Sequence, residues 1–289
     1  MSLTKILDPK PLISSHHQRP ISYDLRYLPD GTPKPILLFI HGFKGFKDWG
    51  YFNLLADTMA EKGFVFIKMN LSHNGTTPKN LTEFVDLEAF GHNNFSIELD
   101  DIGTMLDYLV SPDFSLSGRE ADRERLYLMG HSRGGSLALL KTFEDTRIAA
   151  AITLAAVTNW EERWPDYYLD EWKEKGVQMI QNTRTGQEMP LYYQMVENYY
   201  KNRERLNLPE IIKKLQTPVL AFHGTKDETV PVRMAHDLDT WSGNAQVEII
   251  EGADHTFGGK HPYDQEELPK HVRYIVEMSN SFLKNLRAL

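Results

Sequence analysis

The chain has 289 residues with a mass of 33.3 kDa, and its 41% hydrophobic and 25% charged residues exclude a disordered, collagen-like or coiled-coil protein. Its formal net charge is −8 and it has no basic block that would follow a phosphate backbone, so we expect no nucleic-acid partner. The absence of cysteine excludes disulfides, thiolate metal sites and a cysteine nucleophile.

The chain has no segment typical of a secreted or membrane protein. Its first ten residues lack the apolar stretch of a signal peptide, and the longest apolar run, residues 149–157, is far shorter than the roughly 20 residues of a membrane helix. We therefore expect a soluble, cytoplasmic protein without a membrane partner.

The predicted elements begin with an alternating segment. From Ile21 to Tyr27 apolar and polar residues alternate and turn residues follow, which predicts a half-exposed antiparallel strand. Continuous apolar runs further along the chain are typical of strands that are buried on both faces of a parallel sheet. These runs are residues 35–40, 64–69, 125–129, 148–156, 218–222 and 247–250.

Helical periodicity separates these strands. Apolar residues at helical spacing predict helices that include residues 52–59, 102–109 and 272–286, and Gly63 is placed to end the first of them. Strands that alternate with helices predict an α/β fold, with a mostly parallel central sheet and helices on both of its faces.

One segment, residues 158–210, interrupts this alternation. It has helical, polar and aromatic character, and nine of its 53 residues are Trp or Tyr. Long excursions of this kind usually form lids or binding elements, so we predict a core formed by residues 1–157 and 211–289 and a helical lid over 158–210. The alternative is that these Trp and Tyr side chains pack the segment onto the core and do not contact a substrate. The lid residues that we expect to contact a substrate are Trp160, Trp164, Tyr167 and Trp172.

The strongest signal is the GHSRGG motif at residues 130–135, which follows the apolar run 126–129 and precedes a helical segment. At a sharp strand-to-helix turn a serine is held in a strained conformation with its hydroxyl exposed, and only glycine fits where the neighbouring backbone comes close. We predict that Ser132 is a nucleophile and that the amide of Arg133 points from the helix N-terminus to a developing oxyanion.

A second oxyanion donor is predicted in the HGFKG segment at residues 41–45. This loop follows the strand 35–40 and so lies at the edge of an open α/β sheet where ligands bind. We assign the amide of Phe43 as the donor; the alternative is a connecting loop without a role. Three nearby basic residues are expected to be solvated charges rather than a site for an acidic substrate: Lys44, Lys47 and Arg133.

Two further residues complete a predicted catalytic triad. Asp227 follows the strand 218–222 and His255 follows the strand 247–250, so both lie at strand carboxyl ends. A nucleophilic serine needs a base, and the base needs an acid that orients it. The order Ser132, Asp227, His255 is the hydrolase-fold order, which differs from that of two protease folds. The less favoured alternatives are two neighbouring acids and a second base: Glu228, Asp254 and His261.

The segments HGFKG, GHSRGG, HGTKDETVP and GADHTF together resemble the α/β-hydrolase superfamily, and the resemblance extends over nearly the whole chain. It is closest to the branch of cinnamoyl (feruloyl) esterases, serine aminopeptidase-like hydrolases and dienelactone hydrolase-like proteins. Oligopeptidases have a similar G-x-S-x-G-G turn but an HGGP-like loop that is absent here, and Asn70 stands where many relatives have an acid. The nucleophile, acid, base and two oxyanion amides that the resemblance implies are Ser132, Asp227, His255, Phe43 and Arg133.

These features predict a serine hydrolase of carboxylic esters that acts through an acyl-enzyme and needs no cofactor or metal. The aromatic lid favours an ester with an apolar or aromatic acyl or alcohol group. Two alternatives remain: a serine aminopeptidase or amidase acting on small peptides, and a hydrolase-fold binding protein without catalytic activity. The expected partner of either enzyme is a small-molecule ester or amide.

Overall fold

An eight-stranded sheet lies at the centre of the computed structural model, which describes residues 2–286. The strands in chain order are β1 (Thr4–Ile6), β2 (Leu12–Ile13), β3 (Pro20–Ile21), β4 (Tyr23–Tyr27), β5 (Lys34–Ile40), β6 (Val65–Met69), β7 (Ala121–His131), β8 (Ile148–Leu154), β9 (Val177–Gln181), β10 (Glu188–Tyr192), β11 (Val219–Gly224) and β12 (Ala245–Ile250). The order of the central sheet is β1-β4-β6-β5-β7-β8-β11-β12. Strand β4 runs antiparallel to β1 and β6, and the other neighbours are parallel, so the mostly parallel sheet is confirmed.

Helices cover both faces of this sheet. They are α1 (Phe52–Glu61), α2 (Leu87–Gly91), α3 (Phe95–Val110), α4 (Arg133–Glu144), α5 (Asp166–Lys175), α6 (Gln194–Lys201), α7 (Arg203–Leu206), α8 (Leu208–Lys214), α9 (Arg233–Trp241) and α10 (Lys270–Asn285). Alternate residues of β5 belong to two separate apolar clusters, one formed with α1 and α10 and the other with α3, α4, α8 and α9. The predicted α/β fold is therefore confirmed. No helix within residues 2–286 combines the length and the apolar character needed to cross a membrane.

Strand β4 is antiparallel as predicted, but it is not half-exposed. Asp24 and Arg26, on the face expected to be exposed, are buried. Lys68 Nζ lies 3.1 Å from Asp24 Oδ2 and Lys47 Nζ lies 3.6 Å from the same oxygen, while Arg26 Nε lies 2.7 Å from Asp57 Oδ1. Opposite charges on neighbouring elements offset the desolvation of this polar face, and an alternating sequence pattern does not reveal such partners.

Residues 158–210, here called the insertion, leave the sheet after β8 and lead back towards β11. They contain the 3₁₀ turn Glu161–Arg163, helices α5 to α7, the start of α8 and the β9–β10 hairpin. The prediction of a helical segment missed this hairpin. Its strands have five residues each, and β10 contains Pro190, which weakens a strand signal.

The insertion packs on α2 and on the start of α3. The ring of Trp160 stacks on that of Phe95 with 4.3 Å between their centroids, and Gln187 Nε2 donates a hydrogen bond of 2.9 Å to the carbonyl oxygen of Phe84. These contacts place the insertion over the carboxyl edge of the sheet, next to the turn between β7 and α4.

That turn is built from backbone segments in very close contact. A Cβ atom added at Gly130 would lie 2.1 Å from the carbonyl oxygen of Gly134, and one added at Gly134 would lie 2.2 Å from that of Ile40. Between the two glycines Ser132 has φ +54° and ψ −121°, a conformation that L-residues rarely adopt. The glycines on either side of the serine are therefore required by space, as the motif predicts.

We expect Gly130→Ala to lower the free energy of unfolding by at least about 2 kcal/mol, because the new methyl group would overlap backbone that cannot move aside. In a domain of this size the melting temperature should fall by at least about 4 °C. Calorimetry of the purified variant measures this change. The matched control is Gly118→Ala, because Gly118 is exposed and a Cβ there meets nothing within 4 Å. Equal stability of both variants would contradict the role assigned to the close contact.

Candidate active site

Ser132 lies at the junction of β7 and α4 and faces a pocket at the carboxyl edge of the sheet. Its own amide donates a hydrogen bond of 2.7 Å to the carbonyl oxygen of Leu154, the last residue of β8. The backbone of the serine is thus tied to the neighbouring strand, and its side chain is left to the pocket.

Asp227 and His255 follow β11 and β12 and meet beside this pocket. His255 Nδ1 lies 2.8 Å from Asp227 Oδ2, and the other carboxylate oxygen accepts hydrogen bonds from the amides of Thr229 and Val230 at 2.9 and 2.8 Å. His255 also lines the pocket with Ser132. With Nδ1 donating to the carboxylate, Nε2 is the ring nitrogen that remains to accept a proton.

The carboxyl group of Asp227 is fully buried but stays ionised. Burial raises its pKa, and hydrogen bonds from His223, from His255 and from the amide of Val230 outweigh that effect and hold the pKa well below its usual range. His223 Nε2 lies 3.3 Å from Asp227 Oδ2 and 2.8 Å from the carbonyl oxygen of Val230. The arrangement can therefore stabilise a positive charge on His255.

The loop 41–45 lies directly against the elbow. A Cβ atom added at Gly42 would be 3.0 Å from the Cβ of Ser132. The amide of Phe43 donates no hydrogen bond within the described part of the chain, and the amide of Arg133, at the first position of α4, has no partner inside its helix. Both residues line the pocket, so two unpaired amides are next to the serine.

His41 holds this loop in place, a role that the sequence did not indicate. Its Nδ1 donates a hydrogen bond of 2.8 Å to the carbonyl oxygen of Gly42, and its Nε2 accepts from Asn74 Nδ2 at 3.3 Å and from the amide of Leu71 at 3.4 Å. Burial lowers the pKa of His41 to about 4. The ring is therefore neutral at pH 7 and has a fixed tautomer.

Two asparagines fasten the same loop to the segment 70–76. Asn70 Oδ1 accepts a hydrogen bond of 2.6 Å from the amide of Lys47, and Asn74 Nδ2 also donates to the carbonyl oxygen of Gly45 at 3.2 Å. Asn70 stands where many relatives have an acid, and unlike a carboxylate its amide group can donate a hydrogen bond as well as accept one.

His131 is a second histidine beside the triad that sequence reasoning missed. Its Nε2 donates a hydrogen bond of 2.8 Å to the carbonyl oxygen of His255. Burial, together with the neighbouring His255, lowers the pKa of His131 to about 3. The neutral ring of His131, the residue before Ser132, therefore links the end of β7 to the backbone of His255.

The pocket has a volume of about 590 Å³ and is walled by aromatic residues of the core and the insertion. Trp160 and Trp164 line it. Trp172 is buried inside the insertion, where its Nε1 donates to the carbonyl oxygen of Leu191 at 2.8 Å, and Tyr167 is 76% exposed. Neither of these two residues borders the pocket.

The alternative acids and the alternative base have other hydrogen-bond partners or are exposed. Glu228 is exposed, and Asp254 accepts hydrogen bonds from the amides of its own turn; within residues 2–286 neither bonds to His255. His261 lines the pocket, but its Nδ1 accepts a hydrogen bond of 2.9 Å from the amide of Gly50. No group of three or more His, Asp or Glu side chains in the described residues is arranged to hold a metal ion.

The expectation of solvated basic residues is wrong for Lys47 and Arg133. Lys47 is 1% exposed and pairs with several carboxylates, Asp48 Oδ2 at 2.6 Å among them. The side chain of Arg133 is only 11% exposed, with its Cζ 4.1 Å from the ring centroid of Phe43. The aromatic partner and the carboxylates come from other segments, so local sequence did not reveal this burial.

Known proteins share this fold. Est1E of Butyrivibrio proteoclasticus, solved with ferulic acid bound, has a TM-score of 0.69 at 18% identity, covering 96% of this chain and all of that one. A dienelactone hydrolase of Anabaena variabilis has a TM-score of 0.62 at 15% identity, covering 98% of each chain. These likenesses confirm the predicted α/β-hydrolase fold.

Sequence comparison identifies the family. YitV of Bacillus subtilis, which carries a provisional esterase name, is 28% identical over 200 residues, which are 68% of this chain and 70% of YitV. The sequence model of the prolyl oligopeptidase family matches residues 50–281, which include Ser132, Asp227 and His255. Because that match extends over well more than half of the sequence, the chain belongs to the prolyl oligopeptidase family.

Proposed function

We propose that the protein is a serine hydrolase that cleaves carboxylic esters through an acyl-enzyme. The observation that carries this proposal is the hydrogen bond of 2.8 Å between His255 Nδ1 and the buried, ionised Asp227, in a histidine that lines the same pocket as Ser132. This bond leaves the opposite ring nitrogen available to accept a proton. The esterase name of YitV and the ferulic acid bound to Est1E, which shares the fold, support the same chemistry.

In the proposed reaction, the oxygen of Ser132 attacks the ester carbonyl carbon while its proton passes to His255 Nε2. The amides of Phe43 and Arg133 donate hydrogen bonds to the oxyanion that forms. The tetrahedral intermediate collapses, the C–O bond to the alcohol breaks, and the alcohol takes the proton from His255. Water then attacks the acyl-enzyme by the same path, which releases the acid and restores the serine hydroxyl.

We propose that the insertion is the lid of this site and that Trp160 and Trp164 contact the substrate. Both line the pocket, and their rings would favour an apolar or aromatic group. Est1E, solved with ferulic acid, supports an aromatic acyl group. Trp172 would hold the lid together from within, and Tyr167 is too exposed to be assigned a contact. The cytoplasmic location expected from the sequence stays a prediction.

A second candidate is hydrolysis of small peptides or amides, which the prolyl oligopeptidase family description favours. Comparing kcat/KM for methyl cinnamate and for an aminoacyl 4-nitroanilide separates the two, and we expect the ester to be preferred. Ser132→Ala should lower ester turnover by roughly 10⁴-fold or more, because it removes the nucleophile. Preference for the anilide would favour the peptidase. Undiminished turnover by a correctly folded Ser132→Ala protein would exclude Ser132 as nucleophile.

Asp227→Asn should lower kcat by about 10³- to 10⁴-fold, because the amide cannot hold the reactive tautomer of His255 or stabilise its charged form. Steady-state kinetics on the same ester measure this loss. Glu228→Gln is the matched control: it removes the next carboxylate along the chain, which is exposed, and should change kcat by less than about twofold. Similar losses in both variants would show that the acid has been misassigned.

We expect kcat/KM, measured between about pH 6 and 8, to rise with pH through a single proton loss. The rise has this sign because the base accepts a proton only when neutral. The pKa of His41 is about 4 and that of His131 about 3, so both are neutral throughout this range and add no second transition. A pH–rate profile with fluorescence as the control for folding tests this, and a flat profile would count against His255 as the base.

A further inference from the structure

The pocket contains four basic side chains and, within the described residues that line it, no acidic one. The whole chain has 40 acidic and 32 basic residues, so the charge of the pocket is opposite to that of the protein. The basic residues come from the loop after β5, from the start of α4, from the 3₁₀ turn and from the β9–β10 hairpin turn. They are Lys44, Arg133, Arg163 and Arg184.

Arg133 is held in one orientation with most of its donors unused. Its Cζ lies 4.1 Å from the ring centroid of Phe43 and 5.1 Å from that of Phe95. Within residues 2–286 its side chain makes one hydrogen bond, a long one of 3.5 Å to Glu98. A guanidinium has five N–H donors in a fixed plane, which suits a carboxylate or a phosphate.

Arg163 has no acidic partner because the acids beside it are already occupied. Glu161 accepts hydrogen bonds from Arg203 and Tyr199, each at 2.9 Å, and Glu162 pairs with Arg233. In the part of the chain that the structure describes, no carboxylate forms an ion pair with Arg163.

The side chains of Lys44 and Arg184 donate hydrogen bonds to backbone carbonyl oxygens and to no other group within the described residues. Lys44 Nζ donates to the carbonyl oxygen of Gln181 at 3.1 Å, and Arg184 donates to that of Thr82 at 3.5 Å. A carbonyl oxygen accepts a hydrogen bond but does not neutralise a charge. Neither side chain forms an ion pair within residues 2–286, so their positive charges act on the pocket.

We propose that the pocket accepts an ester that carries, besides the bond to be cleaved, a negatively charged carboxylate or phosphate group. This inference rests on the proposed function and names its substrate class. Lys44, Arg163 and Arg184 have no counter-charge within the described residues, and Arg133 has only Glu98, at 3.5 Å. These positive charges attract an anion to the pocket and raise its local concentration. Because Arg163 and Arg184 are exposed, salt screens their part of the attraction. Arg133 would bind the anion on the side of the core, and Arg163 and Arg184 would bind it from the insertion.

The test compares kcat/KM for mono-4-nitrophenyl glutarate with that for its methyl ester, which has the same acyl chain without the charge. We expect the charged ester to react at least about tenfold faster and this preference to fall with added salt. The double variant Arg163→Gln/Arg184→Gln should lower kcat/KM for the charged ester by about tenfold more than it lowers kcat/KM for the neutral ester. Lys173→Gln is the control, because it removes an exposed positive charge of the insertion outside the pocket.

Binding to the Ser132→Ala protein tests the inference without turnover. Free glutarate and inorganic phosphate are titrated separately by calorimetry, and binding that the double variant loses identifies which oxyanion the site takes. No preference for the charged ester together with no binding of either anion would overturn the inference, while turnover of the neutral ester would leave the proposed function intact. If neither ester is hydrolysed through Ser132, the proposed function fails and the two titrations alone decide whether the pocket binds anions.

Discussion

The close backbone contact at the turn between β7 and α4 determines where the other parts of the candidate site lie. No Cβ fits at Gly130 or Gly134, and the turn is therefore sharp enough to hold Ser132 in its strained conformation. The same contact brings the end of β5 against the elbow, since Gly134 faces the carbonyl oxygen of Ile40. The loop 41–45 must then continue beside the serine. The proposed nucleophile and the oxyanion loop are consequently one packed unit.

Around this unit the protonation states are fixed by burial and hydrogen bonds. His41 and His131 are neutral because their pKa values lie far below 7, and Asp227 is ionised because its hydrogen bonds outweigh its burial. A fixed protonation state determines which atoms of each residue donate and which accept hydrogen bonds. These hydrogen bonds therefore hold the neighbouring loops in a single conformation. Because these three neighbours keep their charge, His255 is the group that we expect to exchange a proton during turnover.

Much of the fold and of the site is encoded in local patterns, and the rest depends on partners distant in sequence. Buried apolar runs predict the parallel strands because both faces of such a sheet are covered, and motifs at strand ends identify the residues that meet at the pocket. The burial of Asp24 in β4 depends on Lys68 of the next strand in the sheet. The packing of Arg133 likewise depends on Phe43 and Phe95, and no local pattern records these pairings.

The way the insertion joins the core bears on how this protein could diversify. Strands β8 and β11 are held in register by their own parallel ladder, with Val219 opposite Ala151, although more than 60 residues separate them in the chain. The spacing of those strands is therefore independent of the length and composition of what lies between them. Duplications, deletions and exchanges within 158–210 can accumulate while the strand ends that carry Ser132, Asp227 and His255 keep their positions. The proposed lid can thus change in evolution, or in directed evolution in the laboratory, without rebuilding the strand ends that carry the candidate catalytic residues.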